Sequence, residues 1–163
     1  SVLLLIFKEN KNAILMIVGH LKLNGFFDKV KNQIEYHSFV SLKKLPELIL
    51  RCDVNIAPLE IDNPFCQAKS ALKFFEAGIL ELPTIATATD SFIRTIHHNE
   101  NGFLASNSDE WYYYLNLLIK NPELREKIGK RAKEDSLEYY TVQTGYYSKD
   151  HIQFLLREII RNK

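Results

Sequence analysis

Three charged side chains at helical spacing, Lys69, Lys73 and Glu76, are the residues of this chain best placed to do chemistry. Steps of four and three put them on one face of a helix predicted over residues 67–80. Ala68, Ala71, Leu72, Phe75 and Ile79 line another face, expected to pack on a sheet. At a rise of about 1.5 Å per residue, Lys69 and Glu76 stand roughly 10 Å apart along the axis. Lys69 and Ser70 fall near the helix N-terminus, where free N–H groups and the helix dipole favour an anion such as a diphosphate. Glu76, two turns deeper, can accept hydrogen bonds from two ribose hydroxyls. The separation therefore fits a nucleoside diphosphate. It fits a solvated helix face equally, with Lys73 and Glu76 in an intrahelical ion pair worth a few tenths of a kcal/mol. Spacing alone leaves both readings open.

Other chemistries find little footing. The 21 Lys and Arg against 20 Asp and Glu leave a net charge of +1, with no basic tract to meet nucleic acid. Cys52 and Cys66 lack metal-ligand spacing and read as reduced structural thiols. His97 and His98 are adjacent, so they point apart on any regular element, and they have no cysteine or carboxylate partners at ligand spacing. No apolar run reaches the roughly 20 residues that cross a bilayer. The apolar opening, residues 1–7, is too short to span and has no basic region before it, so it is not a signal peptide; it reads as the interior of an element of a truncated chain.

The 163 residues, 46% of them hydrophobic and 25% charged, are expected to form one domain with a real core. Residues 2–9 read as the end of a helix, although a buried strand would look similar. Ala13 to Val18 is a buried strand closed by Gly19, and residues 34–37 form a second. Ser41 is expected to cap a helix over residues 42–52, with Leu45, Leu48 and Ile49 as its apolar stripe. Strands are predicted at residues 54–58, ended by Pro58, and at residues 84–87. Asp90 caps a short helix, Asn101-Gly102 marks a turn, and residues 103–105 form a strand. Ser108 and Pro122 start two further helices, and residues 148–162 form an amphipathic tail. Strands alternating with helices, then helices alone, indicate an α/β, doubly wound, mostly parallel Rossmann-like sheet with helices on both faces and a helical C-terminal extension. Such sheets bind ligands beyond the carboxyl ends of their strands.

The stretch from Lys69 to Ala77, running on through residues 82–87, resembles the donor-site segment of family-4 glycosyltransferases of the GT-B fold. Supporting segments follow in the right order: residues 15–19, the strand of residues 53–59, the turn and strand of residues 99–104, and the helix junction from Asn121 to Gly129. By that resemblance Glu76 matches the glutamate that binds the donor ribose. Lys69, Ser70 and Ala71 match the segment approaching the diphosphate and sugar, with Lys73 beside them and Asn63 near the sugar. The loops at Gly19 and His20 and from His37 to Val40 are expected to contact the base.

The resemblance implies transfer of a sugar from a nucleotide-sugar donor to an acceptor hydroxyl, with retention at the anomeric carbon and no further cofactor or metal. It implies that residues 1–163 are the donor half, that an N-terminal acceptor-binding domain of the full-length protein is the partner, and that the isolated chain is inactive. Cytoplasmic work is expected, with any membrane contact through the other domain. Assembly of a bacterial surface polysaccharide is the setting expected from what resembling enzymes do, and the Lys-, Ile- and Asn-rich composition fits an AT-rich genome.

Some residues depart from the pattern. Ala68 stands where the family has its first motif glutamate, eight positions before the one that Glu76 matches, Lys69 and Ser70 replace a glycine and an aromatic, and Glu81 replaces a helix-ending glycine. If Glu81 takes positive φ, that costs about 1 kcal/mol. A non-catalytic nucleotide-sugar-binding or interaction module of the same fold is the alternative. A GT-B epimerase or phosphorylase lacks its expected histidine-acid constellation or pyridoxal lysine here.

Overall fold

The computed structural model describes residues 2–21, 25 and 27–140. The order is α1 (Val2–Glu9), β1 (Leu15–Val18), β2 (Ile34–His37), α2 (Leu45–Ile49), β3 (Asn55–Ala57), α3 (Pro64–Gln67) and α4 (Leu72–Gly78), then β4 (Thr84–Thr87), α5 (Asp90–Thr95), β5 (Phe103–Ala105), α6 (Ser108–Lys120) and α7 (Pro122–Tyr140). Two short 3-10 turns, Phe27–Gln33, precede β2 and were not foreseen.

Among the described residues every strand pairing is parallel: β1 with β2, and β3 with β4 with β5. The sheet is thus divided into a pair and a triplet. All four residues of β4 are buried, and because successive strand side chains point to opposite faces they serve two cores. Ile85 packs with Ile6 of α1, Phe103, and Leu115 and Leu118 of α6. Ala86 packs with Ala57, Phe74 of α4 and Phe92 of α5. Helices therefore cover both faces, as a doubly wound α/β fold requires. The last described helix, α7, packs on α4, with Ala132 in the second core.

Residues 2–9 are helical, which settles the ambiguity of that apolar run: Ile6 and Phe7 are buried, Ile6 against the sheet. Helix α2 is shorter than expected. Ser41 receives the N–H groups of Lys44 and Leu45 on its backbone carbonyl, and Lys44 takes the cap position before Pro46 without a side-chain bond. Thr89 holds the cap position of α5, with Asp90 the first helical residue. Asn107 caps α6, its side chain accepting from the N–H groups of Asp109 and Glu110. The amphipathic stretch of residues 148–162 lies outside the described residues.

The predicted helix over residues 67–80 is two helices. Asn63 caps α3 by accepting from the Phe65 N–H at 3.0 Å, Pro64 opens it, and the chain leaves helical geometry between Ala68 and Ala71. Cys66, Ala71 and Phe74 are all buried. On one unbroken helix, at about 100° per residue, Cys66 and Ala71 would stand roughly 140° apart. The interruption turns both inward. It also changes the buried face: Ala71, Phe74 and Ala77 face the core, whereas Ala68, Leu72 and Ile79 are exposed and Phe75 is half-buried.

The turn after α4 bears out the conditional reading of Glu81, whose φ is 59°. Gly129 of α7 packs on this turn so closely that a Cβ there would sit 2.6 Å from the Glu81 carbonyl carbon. The Lys133 ammonium reaches the Glu81 carboxylate at 2.7 Å, which holds its pKa below the ordinary value of 4.5.

Candidate functional site

The break before α4 decides where the polar residues go. Lys69 and Ser70 precede α4 rather than lying on it, so Lys69, Lys73 and Glu76 do not form the continuous stripe that a single helix would give. The turn instead bends Lys69 and Ser70 against the carboxyl end of β3. There Ala57, Leu59, Lys69, Ser70, Leu72, Lys73 and Phe92 wall a hollow of about 190 Å³. It lies where a doubly wound sheet places ligands.

Both lysines and Ser70 are exposed. The Lys69 ammonium sits 5.1 Å from the centre of the Phe65 ring, a cation–π contact that restrains a long side chain without neutralising it. Lys73 forms no ion pair with Glu76 among the described residues, and its backbone carbonyl accepts a hydrogen bond from the Asn55 side chain at 3.1 Å. Glu76 lies three residues beyond Lys73, about 4.5 Å further along the axis. It is half-buried, outside the wall of the hollow, and neither hydrogen-bonded nor ion-paired to any described residue. The intrahelical ion pair of the alternative sequence reading is therefore not formed. At this depth the carboxylate still reaches solvent, and no described residue occupies it.

Asn63 is not brought into this hollow. Its carbonyl caps α3 and its amide donates to Glu60 at 2.8 Å. A wider, open hollow of about 650 Å³ beside it is walled by residues 60–64 alone. With Glu60 and Asp62 and no cation on its wall, it does not suit a diphosphate.

Gly19 and His20 directly follow β1, and Val40 lies three residues beyond β2, its parallel neighbour. Gly19 has φ of 109°, a region closed to most L-residues. Its N–H donates to the His37 carbonyl at 3.0 Å and its carbonyl accepts from the Tyr36 hydroxyl at 2.8 Å, tying the two strand ends together. His20 is exposed and Val40 half-buried. Nearby, Glu35 is held below the ordinary carboxylate range, first by His37 at 2.5 Å and then by Arg51 at 2.8 Å. Burial pushes the Cys52 thiol up; it points at the Leu48 carbonyl and the Met16 sulfur.

Sequence reasoning missed the residues that shape the hollow from outside the 69–76 stretch. The Thr87 hydroxyl, buried at the end of β4, accepts from the Leu59 N–H at 2.8 Å and donates to the Leu59 carbonyl at 3.0 Å. The Gln67 amide donates to the Ile61 carbonyl at 2.5 Å and accepts from the Asp90 N–H at 3.0 Å. These partners lie 28 and up to 23 residues apart in the chain, so no local spacing announces them. Among the described residues no group of three or more His, Cys, Asp or Glu is placed to hold a metal ion, and no helix is long and apolar enough to cross a membrane.

The family model for glycosyl transferases group 1 matches residues 2–135. Glycosyltransferase 1 domain-containing protein 1 of Xenopus tropicalis is 27% identical over 127 residues, covering 77% of this chain and 36% of that protein. The chain thus spans about a third of the length of this relative. The crystal structure of the C-terminal domain of LpcC, a glycosyl transferase group 1 family protein from Francisella tularensis, matches with a TM-score of 0.67 at 20% identity, over 87% of this chain and 77% of that one. HepE of Anabaena, in complex with UDP-glucose, matches with a TM-score of 0.62 at 19% identity, over 92% of this chain and 41% of that one. These structural likenesses are of fold, and the fold is that of the C-terminal half of GT-B proteins.

Proposed function

This chain belongs to the group 1 glycosyl transferases, and on that premise we propose that it is the donor-binding half of a glycosyltransferase. The reaction is transfer of a sugar from a nucleoside diphosphate to an acceptor hydroxyl, with retention at the anomeric carbon. The observation that carries this reading is the hollow at the carboxyl end of β3, walled by Lys69, Ser70 and Lys73, with Glu76, which no described residue pairs, one turn further along α4.

In the reaction the bond from the anomeric carbon to the diphosphate oxygen breaks with its electron pair going to the diphosphate, and the acceptor oxygen bonds to that carbon as its proton passes to the leaving diphosphate. Charge builds on the leaving diphosphate. The ammonium groups of Lys69 and Lys73 face that charge, and fixed opposite charge at a leaving group lowers the barrier without any covalent intermediate. Glu76 accepts from the ribose hydroxyls and sets the donor's position along α4, the orienting part of catalysis. Gly19, His20 and Val40 supply the edge on which the base lies, and Ala71 the backbone beside the diphosphate. Asn63 adds a contact near the sugar only if its cap on α3 opens. No cofactor is required beyond the nucleotide sugar.

Residues 1–163 act as one donor domain. The partner is an N-terminal acceptor-binding domain of the full-length protein, in keeping with the third of a relative's length that this chain covers. The full protein works in the cytoplasm, where activated sugars are made, on a polysaccharide or glycan acceptor. One observation favours a non-catalytic binding module instead: Ala68, exposed in the break before α4, offers no carboxylate to the sugar.

Calorimetric titration with UDP, GDP and TDP tests the donor reading. Binding of at least one nucleoside diphosphate is expected, and Glu76→Ala weakens it by about 10- to 100-fold, the worth of hydrogen bonds to a charged acceptor. Equal affinity in the two proteins removes Glu76 from the ribose. Sugar transfer by full-length protein separates an enzyme from a binding module.

A further inference from the structure

The wall of the hollow opposite Lys69 and Lys73 is the segment after β3, and it is not held by the β-ladder. The ladder between β3 and β4 ends at Ala57 paired with Ala86. Beyond it, Pro58 has no N–H to continue the pairing. Two residues later the Thr87 hydroxyl takes over: it accepts from the Leu59 N–H at 2.8 Å and donates to the Leu59 carbonyl at 3.0 Å. One side chain thus engages both backbone groups of a loop residue that walls the hollow. Thr87 is 5% exposed, so the hydroxyl end of both bonds is shielded from water, and its χ1 is stiff because it is β-branched. Eight residues after Leu59, Gln67 repeats the device. It ties the Ile61 carbonyl to the Asp90 N–H, so both pins join the loop to the segment that runs from β4 into α5.

We propose that Thr87 is a positioning residue for the donor hollow, clamping Leu59 so that the wall facing Lys69, Ser70 and Lys73 is set before the ligand arrives. The inference rests on the reading of that hollow as the donor site. Thr87 touches no ligand itself. It acts through Leu59, and its worth is preorganisation: a wall already in place spares the ligand the ordering of the loop. A hydroxyl is required because only a group that both accepts and donates can satisfy an N–H and a carbonyl of one residue.

The experiment compares wild type, Thr87→Val and Thr87→Ser. Valine keeps the shape and loses both bonds; serine keeps the hydroxyl. Two readouts are taken under conditions where urea unfolding shows all three folded: hydrogen exchange of the Leu59 amide, and affinity for UDP. The clamp predicts faster Leu59 exchange and about tenfold weaker UDP binding in Thr87→Val, with Thr87→Ser close to wild type in both. Thr87→Val that binds UDP as wild type does, whatever its Leu59 exchange, overturns the positioning role. Serine that fails to rescue overturns it as well. If wild type binds no UDP, GDP or TDP, the donor reading fails and the role falls with it, whereas the exchange data alone still report whether the hydroxyl holds the loop.

Discussion

Replacement of Gly129 by alanine tests the packing that fixes α4, and its size can be worked out from the geometry. A Cβ at Gly129 stands 2.6 Å from the Glu81 carbonyl carbon, whereas non-bonded carbons settle at about 3.5 Å or more. The Glu81 carbonyl oxygen lies nearer still, so helix α7 and the turn after α4 must separate by more than about 1 Å. Neither side yields easily, because the obstruction is backbone. The turn is fixed by the Glu81 N–H bond to the Gly78 carbonyl and the Leu82 N–H bond to the Ala77 carbonyl. The helix is anchored by Ile128 and Ala132, both fully buried. Overpacking of this kind costs about 3 kcal/mol, at the upper end of its usual range. Alanine returns about 1 kcal/mol through helix propensity. The net loss is about 2 kcal/mol, a shift of roughly 1 M in the urea midpoint for a slope near 2 kcal/mol/M. Fluorescence of Trp111, the one tryptophan, follows the transition. A variant as stable as wild type, or more stable, shows that propensity outweighs the contact and refutes the reasoning.

Glu81→Gly relieves the positive φ of 59° and loses the exposed Lys133 pair, for a net gain of a few tenths to 1 kcal/mol in urea unfolding. Asn101→Ala removes the bonds that Asn101 makes to the buried Asp135 at 2.7 Å and to the His97 N–H at 2.8 Å. Arg131 approaches the other Asp135 oxygen at 3.0 Å without good hydrogen-bond alignment, so Asp135 is left poorly satisfied and the same assay should show a loss of about 2–3 kcal/mol. The lowered pKa of Glu35 contributes stability that is present above the ordinary value of 4.5 and is lost as pH falls through the folded value. His37→Ala is therefore expected to move the Glu35 titration, followed by NMR, up toward 4.5. The raised Cys52 thiol is expected to react with Ellman's reagent at pH 8 more slowly than free cysteine, the difference vanishing in urea.

Element order was legible because apolar runs and their punctuation are local. Residues 34–37 read as a strand and are one, and Gly19, Asn101 and Pro122 mark true boundaries. Glu81 stood out as a non-glycine where glycine belongs, and its φ agrees. What stayed hidden depends on contacts distant in sequence. Of the stripe Ala68, Ala71, Leu72, Phe75 and Ile79, which has good helical period, only Ala71 is fully buried, and Cys66, Phe74 and Ala77 join it in place of the others. Periodicity within a window cannot register a break that tertiary packing imposes. The separation of β1–β2 from β3–β5 has no local signal either. In the candidate site, the residue types of the 69–76 stretch were legible, but their assembly was not. Lys69 and Ser70 reach the hollow through a turn rather than along a helix, and Thr87 acts on Leu59 from a separate strand.

The central claim is that this face of the sheet takes a nucleoside diphosphate. An amide NMR titration of the isolated chain with UDP tests it most directly. The account predicts saturable shifts at Leu59, Lys69 to Lys73 and Glu76, joined by Gly19, His20 and Val40 as the base settles. Shifts absent at saturating UDP, or confined to the α6–α7 side, contradict it.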